Sequence, residues 1–295
     1  MMRGLVLFVL LALMGVGVGL MLIRPQPLSE SDIAGITGDA KRGQAIFTAA
    51  GCASCHYRPG ATDDEKLVLA GGQRFASDFG TFIAPNISPD PVHGIGNWTL
   101  AEFGSAVMRG VSPDGSHYYP AFPYTAYALM EVQDMADIHA YILTLPASDT
   151  PSAAHEITFP FNNRLAAGAW KFLFFDPQFA TPESDDPQVT RGRYLSEALA
   201  HCGECHTPRG ALGNLDMTRW LAGAPNPTGS GNIPPLTPGQ LEWSAEDIAF
   251  YLETGFTPSY DSAGGHMAAV VENFSKLPPE DRAAVAAYLK ALPGG

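Results

Sequence analysis

The chain opens on an unbroken apolar run. Leu5 to Ile23 is 19 residues without a charge or a proline. At about 1.5 Å per residue, a helix over this run reaches roughly 28 Å, the thickness of one hydrocarbon core. The apolar region of a cleaved signal peptide is typically about 7–15 residues and ends at a small-x-small site. The following "MLIRPQPL" offers no such site. Length therefore favours an uncleaved anchor in segment 1–28, with a cleaved signal as the other reading; either one exports the body of the protein. Arg3 before the run suits a cytoplasmic N-terminus, and Arg24 follows on the far side.

Past this segment the pattern repeats itself. Trp98 opens "WTLAEFGSAVMRG" and Trp243 opens "WSAEDIAFYLETG". Thr99 and Ser244 are helix N-caps, with Glu102 and Asp247 three residues on, as in a capping box. Gly110 and Gly255 follow at the same interval and mark the helix ends. Further on, "DMADIHAYILTLP" matches "DRAAVAAYLKALP", with Tyr141 and Tyr288 in register. Ahead of these lie "RGQAIFTAAGC" and "RGRYLSEALAHC", each a helix running into a cysteine. Strand patterns are almost absent, and the 25 prolines and 31 glycines suit irregular loops. The chain thus reads as all-α, with two copies of a small helical unit at 38–147 and 187–295. Residues 148–186 join the copies. Seven aromatics in "FPFNNRLAAGAWKFLFFDPQF" make this joint too apolar for a free linker. A short helix and an extended segment packed across both units are expected; an apolar surface for a partner protein is the other reading.

Composition narrows the function. The chain is 46% hydrophobic and 16% charged, with a formal net charge of −13, so no nucleic-acid partner is expected.

The four cysteines stand in two pentads, "CASCH" at Cys52, Cys55 and His56, and "CGECH" at Cys202, Cys205 and His206. Cys-x-x-Cys-His is the haem c attachment pattern. Two thiols at this spacing add to the two vinyl groups of one porphyrin, and the adjacent histidine supplies a nitrogen to the iron. A thioredoxin-like pair needs no following histidine and no second copy. A zinc site would bring two such pairs closer than the 150 residues between these. Structural disulfides are a further reading in an oxidising compartment. The duplicated pentad favours two covalently bound haem c groups.

On the strength of "RGQAIFTAAGCASCH", "APNISPDPVHGIGNWT" and "DGSHYYPAFPYTAY" in the first half, and "HCGECHTPRGALG", "LEWSAEDI" and "GGHMAAVVENFSKL" in the second, the chain resembles di-haem c-type cytochromes that serve membrane-associated periplasmic dehydrogenases. Each half resembles a class I cytochrome c domain, following an N-terminal transmembrane helix. The resemblance covers about residues 38 to 293. The "PNIS" of the first half is "PPLT" in the second, and the glycine-rich turn before Trp243 is lost.

The resemblance implies His56 and His206 as proximal ligands, oriented by the carbonyl of a nearby proline. Pro208 holds the matching place after His206, with Pro59 one residue later after His56. Arg58 and Arg209 are candidates for the haem propionates. The resemblance also implies Met267, twelve residues after Gly255, as the sixth ligand of the second haem. The same count from Gly110 lands on Phe122 in "PAFPY", where relatives carry methionine. Phenylalanine has no lone pair for iron. Three outcomes stay open: Met130 as a displaced ligand, which is favoured; His117, giving bis-histidine ligation; or an open site capped by Phe122. The function implied is single-electron transfer from a periplasmic dehydrogenase subunit to an oxidase or small cytochrome, at the bacterial inner membrane with the body in the periplasm. A di-haem peroxidase using an open first haem is the rival, and a gas sensor ranks last.

Overall fold

The computed structural model describes residues 2–227 and 231–294. Helix α1, Met2–Leu22, stands free of the body, with no residue buried. The first repeat follows. Helix α2 (Ala40–Ala49) runs toward the pentad helix α3 (Cys52–His56). A hairpin of β1 (Arg74–Ser77) and β2 (Gly80–Ile83) precedes α4 (Leu100–Arg109), α5 (Tyr124–Tyr127) and α6 (Val132–Ile142). The joining segment supplies β3 (Glu156–Ile157) and α7 (Arg164–Phe174). The second repeat comprises α8 (Pro187–Arg193), α9 (Gly203–His206), the ribbon β4 (Ala224–Pro225) and β5 (Asn232–Ile233), α10 (Ala245–Thr254), α11 (His266–Phe274) and α12 (Pro279–Ala291).

The expectation of an all-α chain is corrected in one respect. The fold is mainly helical, but β1, β2 and β3 form an antiparallel three-stranded sheet. Gly80, at φ +124°, makes the turn into β2, and a Cβ there would meet the Glu156 carbonyl oxygen at 2.3 Å. The joining segment is therefore part of the first domain's sheet.

Both repeats are held by the same crossing. α2 packs on α6, and α8 packs on α12. The backbones meet at glycine: a Cβ on Gly43 would lie 1.9 Å from the Asp137 carbonyl oxygen, and one on Gly192 1.9 Å from that of Ala284. Both capping boxes form, with Thr99 and Ser244 each accepting from the N3 amide, and both helices end at a left-handed glycine, Gly110 (φ +57°) and Gly255 (φ +77°).

The repeats differ before the cysteines. The path from Arg191 to Cys202 is one residue longer than that from Arg42 to Cys52. The extra residue is absorbed by a π-helical turn, Tyr194–Leu199, a device that inserts one residue without breaking the helix. The crossing at Gly192 and the pentad both keep their places.

One buried apolar cluster runs through both domains, from Phe47 and Tyr127 to Leu195 and Phe274. The joining segment is tied to both. Asn86 Nδ2 donates to the carbonyls of Ser148 and Thr150, each at 2.8 Å, and Trp170 Nε1 donates to the Leu212 carbonyl at 2.9 Å.

Candidate functional site

In each domain a short helix carries the pentad, entered through a residue in the left-handed region. In the first this is Gly51 (φ +68°); in the second it is His201 (φ +43°), a conformation that favours glycine. Each of the four thiols stands alone. Burial pushes Cys52 and Cys202 up to about 12 and Cys55 up to about 11, so these sulfurs are neutral thiols at physiological pH. Among the described residues, no group of three or more His, Cys, Asp or Glu side chains is placed to hold a metal ion, so the cysteine pairs do not combine into a zinc cage.

The histidines of the pentads share one geometry. His56 Nδ1 donates to the Pro85 carbonyl at 2.8 Å, and His206 Nδ1 to the Pro234 carbonyl at 2.7 Å. Burial lowers both pKa values, which keeps the rings neutral. With Nδ1–H committed to a carbonyl, the lone pair lies on Nε2, the tautomer an iron ligand needs. The prolines are not the ones expected. Pro85 and Pro234 begin the "PNIS" and "PPLT" segments, and they displace Pro59 and Pro208 in this role because a loop returns to each pentad. Ile87 N donates to Leu69 O (3.0 Å) and Leu236 N to Leu221 O (2.8 Å), so the two returning loops have the same register.

Both arginines lie beside carboxylates. Arg209 donates to Glu204 Oε2 at 2.5 Å and to the Gly213 carbonyl at 2.7 Å. Arg58 is exposed and lies 3.9 Å from Glu65.

Beyond α4 and α10, the backbone pairing of the two repeats matches the count along the chain. Tyr118 N donates to Gly110 O, and Ala263 N to Gly255 O, both at 2.8 Å. Phe122 and Met267 each lie four residues beyond these donors, so they hold equivalent places. Phe122 packs edge-on against Tyr118, Tyr124 and Tyr127. Met267 is half-buried at the start of α11. Met130 is only 3% exposed and sits in register with Leu277: Met130 N donates to Tyr127 O at 3.0 Å, and Leu277 N to Phe274 O at 3.1 Å. Both residues close the loop before the last helix of their repeat and pack into the core, so this register gives Met130 a packing place. His117 is buried, and its Nε2 bonds to the Ile23 carbonyl at 2.7 Å, at the end of α1.

Spacing along the chain did not reveal how the pentads meet. Ser54 and Glu204 are the same position of the two pentads, and each is held by the other domain. Asn273 Nδ2 of α11 donates to Ser54 Oγ, and Thr125 Oγ1 of α5 donates to Glu204 Oε1, both at 2.9 Å. The two contacts are related by a pseudo-twofold exchange of domains. Between them, Tyr127 Oη donates to the Ala50 carbonyl at 2.7 Å, and its ring meets that of His201 at 5.6 Å. Cys205 lies near enough that its charge adds to the burial raising the Cys55 pKa. Tyr194 Oη donates to Asp134 Oδ2 at 2.6 Å, another bond across the interface.

A cysteine pair, an imidazole held with its Nε2 free, and a returning loop, all present twice, define a c-type cytochrome with two sites. The comparisons agree. The cytochrome c family matches residues 40–146 and again 189–293, and the chain belongs to that family. It is 55% identical over 293 residues to a diheme cytochrome c-type protein of Cereibacter sphaeroides, covering 99% of both chains. It is also 35% identical to the fructose dehydrogenase cytochrome subunit of Gluconobacter japonicus, over 92% of this chain and 56% of that one. To the cytochrome c subunit of the quinone-dependent alcohol dehydrogenase of Gluconobacter oxydans it is 34% identical, over 86% of this chain and 54% of that one. The chain thus spans about half the length of these two dehydrogenase subunits. It is a diheme cytochrome c carrying two covalently bound haem c groups.

Proposed function

We propose that the chain is a membrane-anchored electron carrier of two class I cytochrome c domains. It takes electrons singly from a periplasmic dehydrogenase and passes them to an oxidase or a smaller cytochrome. Cys52 and Cys55 hold one haem and Cys202 and Cys205 the other, with His56 and His206 as the proximal ligands. Each haem supplies an iron that gains and loses one electron; the protein's part is placement and electrostatics. The Pro85 and Pro234 carbonyls keep each imidazole in one tautomer and one orientation. His206 is buried and His56 partly so, which limits water at both rings.

The observation that carries the reading is the reciprocal interface. Ser54 with Asn273 and Glu204 with Thr125 lock the pentads against each other, and tunnelling falls exponentially with distance. A fixed placement of the two pentads would hold their haems at a constant separation, which serves electron transfer between them. The names of the dehydrogenase cytochrome subunits support a dehydrogenase as donor. The anchor is supported by α1, 21 residues long with none buried, and by the docking of the segment after it: the Ile23 carbonyl meets buried His117, and Leu28 N donates to Ser105 Oγ at 2.9 Å.

Met267 is the proposed sixth ligand of the second haem. For the first, Met130 packs where Leu277 packs and His117 is engaged by Ile23, so the reading moves to a site capped by Phe122. This place also keeps the peroxidase reading alive as the alternative. The test uses the full chain in detergent. Added to membranes of a strain lacking it, the protein should restore oxygen uptake on alcohol, aldehyde or sugar substrates. Rapid turnover of hydrogen peroxide by the reduced protein would favour the enzyme instead.

A further inference from the structure

Helix α7 has its polarity inverted. Its charged residues face the protein. Arg164 donates to the His117 carbonyl at 3.1 Å and lies over the Tyr119 ring at 4.2 Å. Lys171 donates to the carbonyls of Arg109 and Gly110 and lies over the rings of Tyr124 and Phe175. Its outward residues are Leu165, Ala166, Ala169, Phe172 and Leu173, all exposed and all apolar. Leu165, Phe172 and Leu173 are 51%, 57% and 62% exposed, and Phe159, just ahead of the helix, is 83% exposed. The spacing of these residues places them on one continuous face. A surface helix in water carries the reverse arrangement.

The position of α7 explains the inversion. Gly168, at its middle, touches the Ile23 carbonyl, the end of the apolar run; a Cβ there would lie 3.1 Å from that oxygen and 2.7 Å from His117 Nε2. Ile23 is where the hydrocarbon span ends, so α7 sits at the level of the boundary between acyl chains and headgroups. Interfacial helices bury such a face several ångströms into that boundary.

We propose that α7 is an in-plane membrane helix, laying Leu165, Ala169, Phe172 and Leu173 into the bilayer beside the exit of α1. The occupant of this face is phospholipid. Two attachments, one spanning and one in plane, hold the first domain in a fixed orientation over the membrane. The inference rests on the anchor reading, and the test separates the two.

The haem-loaded full chain is placed in nanodiscs of phosphatidylcholine and phosphatidylglycerol, with the photoreactive residue p-benzoylphenylalanine replacing Leu13, Phe172 or Leu173 in turn. Mass spectrometry after illumination reads lipid adducts. Adducts at all three positions are expected. Adducts at Leu13 with none at Phe172 and Leu173 would overturn the in-plane helix and leave the anchor standing. No insertion and no adduct at Leu13 would overturn the anchor, and with it the proposal. If illumination of native membranes links Phe172 to a second copy or to another protein instead of lipid, the face is a protein interface and the proposal fails.

Discussion

Replacing Gly192 by alanine tests the crossing that positions the second pentad. The new methyl would lie 1.9 Å from the Ala284 carbonyl oxygen and 2.7 Å from Tyr288 Cβ, where ordinary contact begins near 3.4 Å. α8 and α12 must then separate by about 1.5 Å, the difference between those contacts. Overpacking of a tight core costs about 1–3 kcal/mol, and here the obstacle is helix backbone, which cannot swing aside. Alanine returns up to about 1 kcal/mol of helix propensity. The net loss is about 1–2 kcal/mol, an appreciable share of the roughly 5–15 kcal/mol that holds a domain. Denaturant titration followed by haem absorbance and far-ultraviolet circular dichroism reads the loss as a lower midpoint. Gly264→Ala is the control, because no atom lies within 4 Å of its Cβ. A Gly192→Ala midpoint equal to that of the control would refute the close crossing. Gly43→Ala, facing the Asp137 carbonyl at the same 1.9 Å, should act equally on the first domain.

Three further outcomes are expected. Phe122→Met should place a thioether where Met267 stands in the other repeat, abolish carbon monoxide binding at the first haem and raise its potential in a redox titration; wild-type protein that binds no carbon monoxide would contradict the capped site. Asn273→Ala with Thr125→Ala should cost about 1 kcal/mol per lost bond and slow electron transfer between the haems in flash photolysis, while unchanged transfer would show that the reciprocal contacts do not set the gap. Buried Glu197 accepts from Tyr288 Oη at 2.6 Å and has a raised pKa, chiefly from burial. Its folded pKa therefore exceeds its unfolded one, so its contribution to stability is full below the ordinary carboxylate range and is lost as pH rises through the folded value. Glu197→Gln should remove that part of the pH dependence in urea midpoints measured across this range, and parallel curves for the two proteins would sink the assignment.

Much of the site was legible in the chain because its chemistry is local. Two thiols and a histidine must lie within five residues to meet one haem edge, so the pentads declare themselves. Capping boxes and C-terminal glycines are also local, which is why α4 and α10 could be placed from Thr99, Ser244, Gly110 and Gly255. The place of Phe122 opposite Met267 followed from counting, since the two loops have equal length. The chain by itself could not choose the carbonyl that orients each imidazole. Pro85 and Pro234 lie 29 and 28 residues away, and only the return of a loop brings them to His56 and His206. For Met130 the chain allowed both ligand and core, because a thioether is both soft and apolar; its register with Leu277 comes from the packing of the last helix. The meeting of the pentads through Ser54, Asn273, Thr125 and Glu204, and the inverted face of α7, belong to the tertiary structure alone. Each depends on which side of a helix is already covered, and hydrophobic periodicity reports that a helix has two faces without saying which one meets protein and which meets something else.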